Sequence, residues 1–454
     1  MLSDHARRLS ILFTNNTLSL RAGSELWVRD VCCALVGKGH CPIAFSLVTG
    51  EIADELRAAT VPVVSDLDNV GFTPDLIHGH HHIETLMAAL HFPGVPIVHF
   101  CHGWLPWEEQ PLRHPSIVRY VAVDETCVDR LTAESGIRRD QVDLLLNFVD
   151  LRRFVPRAPL PARPRRALVL SNAAHEHGYS AVIREACDQS GIELEVFGVG
   201  SGRIVERPQE LLPGFDLVFA KGRTALEGLA VGCGVILADA VGCGPLVTER
   251  DFDRMRTCNF GVRLLQNTHS VDWYRTQIAA YDAAEAGRIS TRVREEADLE
   301  AAVDRLLEIY KAAMIEHHRD GSSGGSAVQS CAEAQRAAAR HLRSVARRLK
   351  GTDELEPVVN TLSSDLAAAH SHHRQMTREH EARLQQVETL TNEVAAARSL
   401  NQQLTDERDL LRQLVAEHRA LPSLRLRDAL IRVPLLGGAA QRAARWLTRS
   451  TFLR

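Results

Sequence analysis

Phe-Asp-Leu-Val-Phe-Ala-Lys-Gly-Arg-Thr-Ala-Leu-Glu-Gly-Leu-Ala-Val-Gly-Cys-Gly-Val-Ile-Leu-Ala-Asp, Phe215 to Asp239, is the stretch that decides the fold. Asp216–Ala220 is a short apolar run, long enough for one buried strand. Lys221-Gly222 breaks it. Arg223–Val231 then has helical spacing, with Leu226, Leu229 and Ala230 on one side. Gly232 and Gly234 stop the helix, and Val235–Ala238 is the next strand. A strand–turn–helix–strand unit of this kind puts its turn at the carboxyl end of a parallel strand, where open α/β sheets bind ligands. The helix start can receive a phosphate through its free N–H groups and the positive end of its dipole. Lys221 and Arg223 flank that start, and Glu227 is an acid in an otherwise apolar or small run. The plainer alternative is an ordinary βαβ crossover with Glu227 solvated.

Outward from this unit, the chain of 454 residues is too long for one core and suggests two or three domains. A net charge of -4 gives no global basic field for nucleic acid, and 5% aromatics argue against stacked-base recognition. Ten cysteines without a Cys-x-x-Cys pair read as reduced, mostly buried thiols of a cytoplasmic protein. No secretory signal is visible, and no apolar run approaches the roughly 20 residues of a membrane helix.

Ser10–Thr14, Pro42–Leu47, Val61–Ser65, Asp75–His78, Pro96–His102 and Tyr120–Val123 are short apolar runs with helical patterns between most of them. One such helix runs up to Val36, closed by Gly37 and Gly39. This alternation predicts a doubly wound parallel sheet over residues 1–155. No Gly-x-Gly-x-x-Gly follows the first strand. Pro156, Pro159, Pro161 and Pro164 mark a stiff linker. A second α/β set spans 165–320, with strands at Ala167–Leu170 and Glu193–Phe197 before the Phe215 unit. Gly242–Thr248 reads as a small-residue loop that either admits a nucleotide backbone or is simply a tight connection. Arg288 to His318 reads as one long helical stretch.

The residues resemble the retaining GT-B glycosyltransferases of the group 1 / family 4 type. Gly222–Ala230 followed by a Gly turn and a Val-Ile strand is similar to their donor-site segment. In the first half, Ala22-Gly23-Ser24-Glu25 resembles their Gly-Gly-x-Glu helix start, and Leu35–His40 their Leu-x-x-x-Gly-His. Asp75–His80 resembles the Asp-Val-Val-His-x-His strand, Ile97–Gly103 the strand ending in His-Gly, Val121–Glu125 their Ala-Val-Ser-Glu, and Asn147–Asp150 with Phe154 the domain junction. The resemblance implies two Rossmann-like domains facing a cleft, and a terminal helix that crosses back onto the first domain. It also implies transfer of a sugar from a nucleotide-sugar donor to a glycan or lipid-linked acceptor, with anomeric retention, in bacterial surface polysaccharide or glycoconjugate synthesis. Glu227 would bind the nucleotide ribose and His102 would face the sugar as the other catalytic candidate. Gly23 and Ser24 would offer backbone amides to the diphosphate or the reacting sugar. Gly222 and Thr224 belong to the donor-site helix start, and Lys221, Arg223 or Arg203 would neutralise phosphate. No cofactor and no metal are expected, and there is no Asp-x-Asp motif. His78, His80, His81 and His82 read either as zinc ligands or, more simply, as a polar strand-end loop.

Two departures stand out. Phe219 occupies the position eight before Glu227 where the group usually has a second Glu. Ser171–Gly178 lacks the Arg and Lys the group carries after the first strand of its second domain. They motivate a rival reading, a catalytically silent scaffold. A sugar-nucleotide epimerase, which shares the fold, is a third.

Gly321–Ser326 reads as a flexible linker. Val328, Cys331, Ala338, Leu342, Val345 and Leu349 step by threes, fours or sevens, and the pattern resumes through Val387, Leu390, Val394, Ala397, Leu404, Leu411 and Val415, with Asn401 and Arg408 on the seam. This predicts a coiled coil over 327–420 that makes a homo-oligomer. Residues 421–454 form a basic amphipathic tail suited to peripheral contact with an anionic membrane.

Overall fold

The structure is a computed structural model that describes residues 7–175, 178–322, 327–351 and 383–417 apart from 384, 388 and 414. The basic tail lies outside the described residues. The chain up to Arg347 forms one compact unit, and the segment from Arg348 another.

Seven strands make the first sheet: β1 (Ser10–Thr14), β2 (Cys41–Phe45), β3 (Val63–Val64), β4 (Leu76–Gly79), β5 (Ile97–Cys101), β6 (Ile117–Ala122) and β7 (Val142–Leu144). Their order is β3-β2-β1-β4-β5-β6-β7, all parallel. The strand order reverses between β1 and β4, so a crevice opens beyond their carboxyl ends. Helix α1 (Gly23–Gly37) follows β1, and α2 (His82–His91) follows β4. The apolar runs are buried on both faces, as a sheet covered by helices requires.

The second sheet holds β8 (Arg166–Leu170), β9 (Glu193–Phe197), β10 (Leu217–Ala220), β11 (Gly234–Asp239) and β12 (Gly242–Leu246), in the order β9-β8-β10-β11-β12. Helix α3 (Gly222–Val231) joins β10 to β11. It begins on Gly222 at φ +56° and ends on Gly232 at φ +100°, left-handed conformations that only glycine adopts without strain. The stretch expected as a small-residue loop is instead mostly β12, paired antiparallel to β11. Its glycines answer to packing: a Cβ on Gly244 would lie 2.6 Å from the carbonyl oxygen of Leu264.

The helix expected over Arg288–His318 is two helices, α4 (Ala283–Glu296) and α5 (Leu299–Ser322). The break falls where the chain returns to the first half: the Val149 amide donates to the Ala297 carbonyl at 2.8 Å, and the Leu299 amide donates to the Val149 carbonyl at 3.0 Å. Beyond it Leu299, Val303, Leu306, Ile309, Tyr310 and Ala313 bury themselves in the core of the first sheet, the expected crossing back. Gly321 and Ser322 are helical rather than linker. The proline segment is pinned to the second half, through an Arg157–Asp216 ion pair at 2.9 Å and the Tyr281 hydroxyl donating to Pro161 at 3.0 Å.

Two described segments of the tail are helical. Helix α6 (Ala327–Gly351) buries Ala337 and Ala338, the latter in the core of the first half, and His341 Nε2 lies 2.7 Å from His82 Nδ1 at the start of α2. Of its apolar stripe, Ala338 is thus used within the chain, while Leu342 is 55% exposed. The second stripe differs. Residues 389–413 are helical, and Leu390, Val394, Leu404 and Leu411 are all at least half exposed. Among the described residues, nine cysteines are free, and no helix is long and apolar enough to cross a membrane.

Candidate active site

Between the carboxyl edges of the two sheets lies a cavity of about 750 Å³, lined from both halves. After β1 it takes Asn16 and Thr17, after β4 His81, and after β5 His102–Pro106. Ser171 and Asn172 follow β8, Lys221 and Gly222 follow β10, and Asp239 ends β11.

Two helix starts face this space. The first turn of α1 contributes Gly23, Ser24 and Glu25, and that of α3 contributes Gly222, Arg223 and Thr224. Neither has a side-chain cap. At α3 the Gly222 amide already donates to the Phe260 carbonyl at 2.9 Å, so the amides of Arg223 and Thr224 are the ones left for an anion. Glu25 is buried, which raises its carboxyl above the usual range; the Ser24 hydroxyl donates to it at 2.9 Å.

A buried ion network crosses the cavity floor. Arg223 Nε donates to Glu227 at 2.8 Å, and its Nη2 pairs with Asp30 on α1. Arg29 Nε donates to Asp30 at 2.9 Å and its Nη1 reaches Glu55 at 2.8 Å, while Arg153 stands 3.5 Å from Asp30. Burial pulls against charge on every member. At Arg223 and Asp30 the partners win: the guanidinium is held above its ordinary value and the carboxyl below. At Glu227 burial wins and raises the carboxyl against the pull of Arg223.

On the other wall His81 stands at φ +60°, an uncommon conformation for a side chain of its size. The Asn16 amide donates to its Nδ1 at 3.0 Å, which leaves the proton on Nε2, 3.5 Å from Glu109. Glu109 also accepts from the His102 amide at 2.9 Å. Burial lowers His81, but the hydrogen bond and charge of Glu109 outweigh it and the net shift is upward. Glu109 correspondingly ends below its ordinary range. His102 is pushed down to about 4 by burial and titrates as a neutral imidazole at physiological pH.

Of the residues singled out in the sequence, Gly23, Ser24, His102, Lys221, Gly222, Arg223, Thr224 and Glu227 all line the cavity. Arg203 does not. Its guanidinium stacks 3.7 Å over Phe197 and pairs with Glu195 at 2.9 Å on the outer part of the second sheet. Lys221 is committed to an ion pair with Asp239. The four-histidine loop is no metal cage: His78 is a core residue stacked on Phe13 and Phe100, His82 faces α6, and the described residues hold no metal-binding cluster.

Asp30, Glu109 and Asp239 carry much of the electrostatics and went unread as site residues, and His81 was read only as one of the four-histidine loop. Asp30 had a visible signal, a charged pair with Arg29 inside the apolar run Leu26–Cys33. Asp239 had another, an acid closing an apolar strand. Glu109 had none, since its partners, His81 and the His102 amide, follow two different strands.

Two Rossmann-like halves with a cavity between their sheets and a last helix returning to the first half make up the GT-B architecture, and that is the fold of this chain. Residues 65–153 match the model of Glycosyltransferase Family 4. Among solved structures, a glycosyltransferase from Rickettsia africae superposes with a TM-score of 0.51 at 14% identity, covering 68% of this chain and 99% of its own. The Anabaena protein HepE, solved with UDP and glucose, gives 0.49 at 14% identity, covering 67% of this chain and all of its own. No curated protein matches the chain at a significant level.

Proposed function

We propose that the protein transfers a sugar from a nucleotide-sugar donor to a glycan or lipid-linked acceptor bound in the cavity, with retention at the anomeric carbon. The surrounding role would be bacterial surface polysaccharide or glycoconjugate synthesis. The observation that carries the reading is the convergence of two uncapped helix starts and Glu227 on one space between the sheets. The amides of Gly23 and Ser24 on one wall, and of Arg223 and Thr224 on the other, would meet the charge that develops on the leaving diphosphate. Glu227 would accept from the ribose hydroxyls. His102, held by its backbone bond to Glu109, would face the transferring sugar. Closing the halves over the donor would exclude the water that hydrolyses it.

The test is a donor-hydrolysis screen across UDP- and GDP-sugars on wild type and Glu227→Ala. Losing a charged hydrogen bond to the ribose should lower turnover at limiting donor roughly ten- to a hundredfold. Equal turnover by both proteins would sink the assignment. One observation favours a silent scaffold instead: Lys221 and Arg223, the basic groups beside α3, are both engaged by acids. Absence of any nucleotide binding in titration calorimetry would decide for it.

We infer further that the stripe Val387, Leu390, Val394, Ala397, Leu404, Leu411 and Val415 pairs with a second copy of the chain. The support is its heptad spacing and its exposure. Leu404→Glu with Leu411→Glu should convert the oligomer to monomer in sedimentation. An unchanged mass would remove this inference.

A further inference from the structure

A file of buried polar rings runs from the returning helix to the cavity. Tyr310 Oη on α5 is 2.5 Å from His78 Nδ1, His78 Nε2 is 2.7 Å from His80 Nε2, and that same nitrogen is 3.0 Å from His102 Nε2. His80 Nδ1 is buried without a partner. His102 Nδ1 makes no hydrogen bond to the described residues, and His102 lines the cavity. Burial keeps the three imidazoles uncharged and the phenol protonated.

A neutral imidazole carries one N–H, so the shared Nε2 of His80 either accepts or donates. If it accepts, Tyr310 donates to His78 Nδ1, His78 donates from Nε2 to His80, and His102 donates from Nε2 to His80. Each short contact then has its own proton, the two N–H groups share the one lone pair of His80 Nε2, and the single orphan is the His80 Nδ1–H. If it donates, one proton must serve both neighbours. His78 then carries its hydrogen on Nδ1 and donates to the Tyr310 oxygen, which leaves the phenol proton unpaired. Both arrangements make three contacts and orphan one donor. The first prevails because a phenol O–H is a stronger donor than an imidazole N–H, and an imidazole nitrogen a stronger acceptor than a phenol oxygen; the 2.5 Å contact is thereby an O–H···N bond.

We propose that Tyr310, His78 and His80 are positioning residues that hold His102 as the Nε2–H tautomer, so that it presents a bare Nδ1 to a hydroxyl of the sugar in the cavity. The use of that nitrogen rests on the glycosyl-transfer reading; the tautomer does not. His102 would thus accept from the sugar rather than donate to it, and a donor sugar lacking that hydroxyl would be disfavoured.

The test is 15N spectroscopy of histidine-labelled full-length protein at neutral pH, with His102 assigned by its loss in His102→Gln. The expected wild-type spectrum has His102 protonated at Nε2; protonation at Nδ1 overturns the proposal. The second arm is His78→Phe combined with Tyr310→Phe; the first puts a ring where His78 stacks on Phe13 and Phe100, and the second leaves no unpaired hydroxyl. Without His78, His80 can carry its hydrogen on Nε2 with no orphaned N–H, so His102 should switch to the Nδ1–H tautomer. Turnover should then fall about tenfold with an unchanged thermal midpoint. A His102 that stays protonated at Nε2 in this variant shows that the file does not set it. If wild type turns over no nucleotide sugar, the transfer reading fails while the tautomer result stands.

Discussion

Arg223→Ala is expected to lower the free energy of unfolding by about 3–5 kcal/mol, the usual cost of removing one partner from a buried ion pair. Arg223 joins acids from the two halves, Asp30 on α1 and Glu227 on α3, and all three side chains are largely shielded from water. Asp30 keeps Arg29 after the change, so the larger penalty falls on Glu227, which loses its hydrogen-bonding cation. Denaturant titration measures the loss. Arg203→Ala is the control, an exposed pair whose removal should cost no more than about 1 kcal/mol. A loss under about 1 kcal/mol for Arg223→Ala would mean that the network contributes little and that water reaches it.

Gly198→Ala should destabilise by more than about 3 kcal/mol, the sum of a left-handed backbone and an overpacked site. Gly198 follows β9 at φ +143°, and a Cβ there would sit 1.9 Å from the Ser171 carbonyl oxygen. The atom in the way is backbone, so no rotamer relieves it. Relief would require moving the turn after β8, where Ser171 and Asn172 form part of the cavity wall. Donor turnover should therefore fall along with stability. A variant with wild-type midpoint would show that the two turns separate freely.

Most of the fold was legible because it is written in periodicity. Glu193–Phe197 and Ser10–Thr14 are bounded runs of strand length, and each became a strand at those limits. The helix start at Gly222 was legible because breaker, basic residue and apolar spacing agreed. What escaped the sequence depends on long-range packing. β7 is three residues, Val142–Leu144, too short for a pattern. Gly242–Leu246 has loop composition, yet it is an edge strand because the chain at Leu264 presses on it. In the site, strand-end residues such as His102 were readable from position alone. Arg203 was misplaced because charge reads from sequence and direction does not: its side chain turns to Phe197 and Glu195. Ala338 in the first stripe of the tail looked unpartnered for the same reason. Heptad spacing tells that a face is apolar and is silent on whether another copy or the chain's own core covers it.

The returning helix has a consequence for biosynthesis. Tyr310 and its neighbours complete a hydrophobic interior whose other members were made far earlier; its contact with His78 spans 232 residues. A ribosome that has released only the N-terminal half has released a sheet with one flank bare. That half must wait, loosely formed, while the whole second sheet is synthesised. The later-made sheet receives its last buried helix side chains before residue 299 and is free to consolidate first, reversing the usual N-to-C order of maturation.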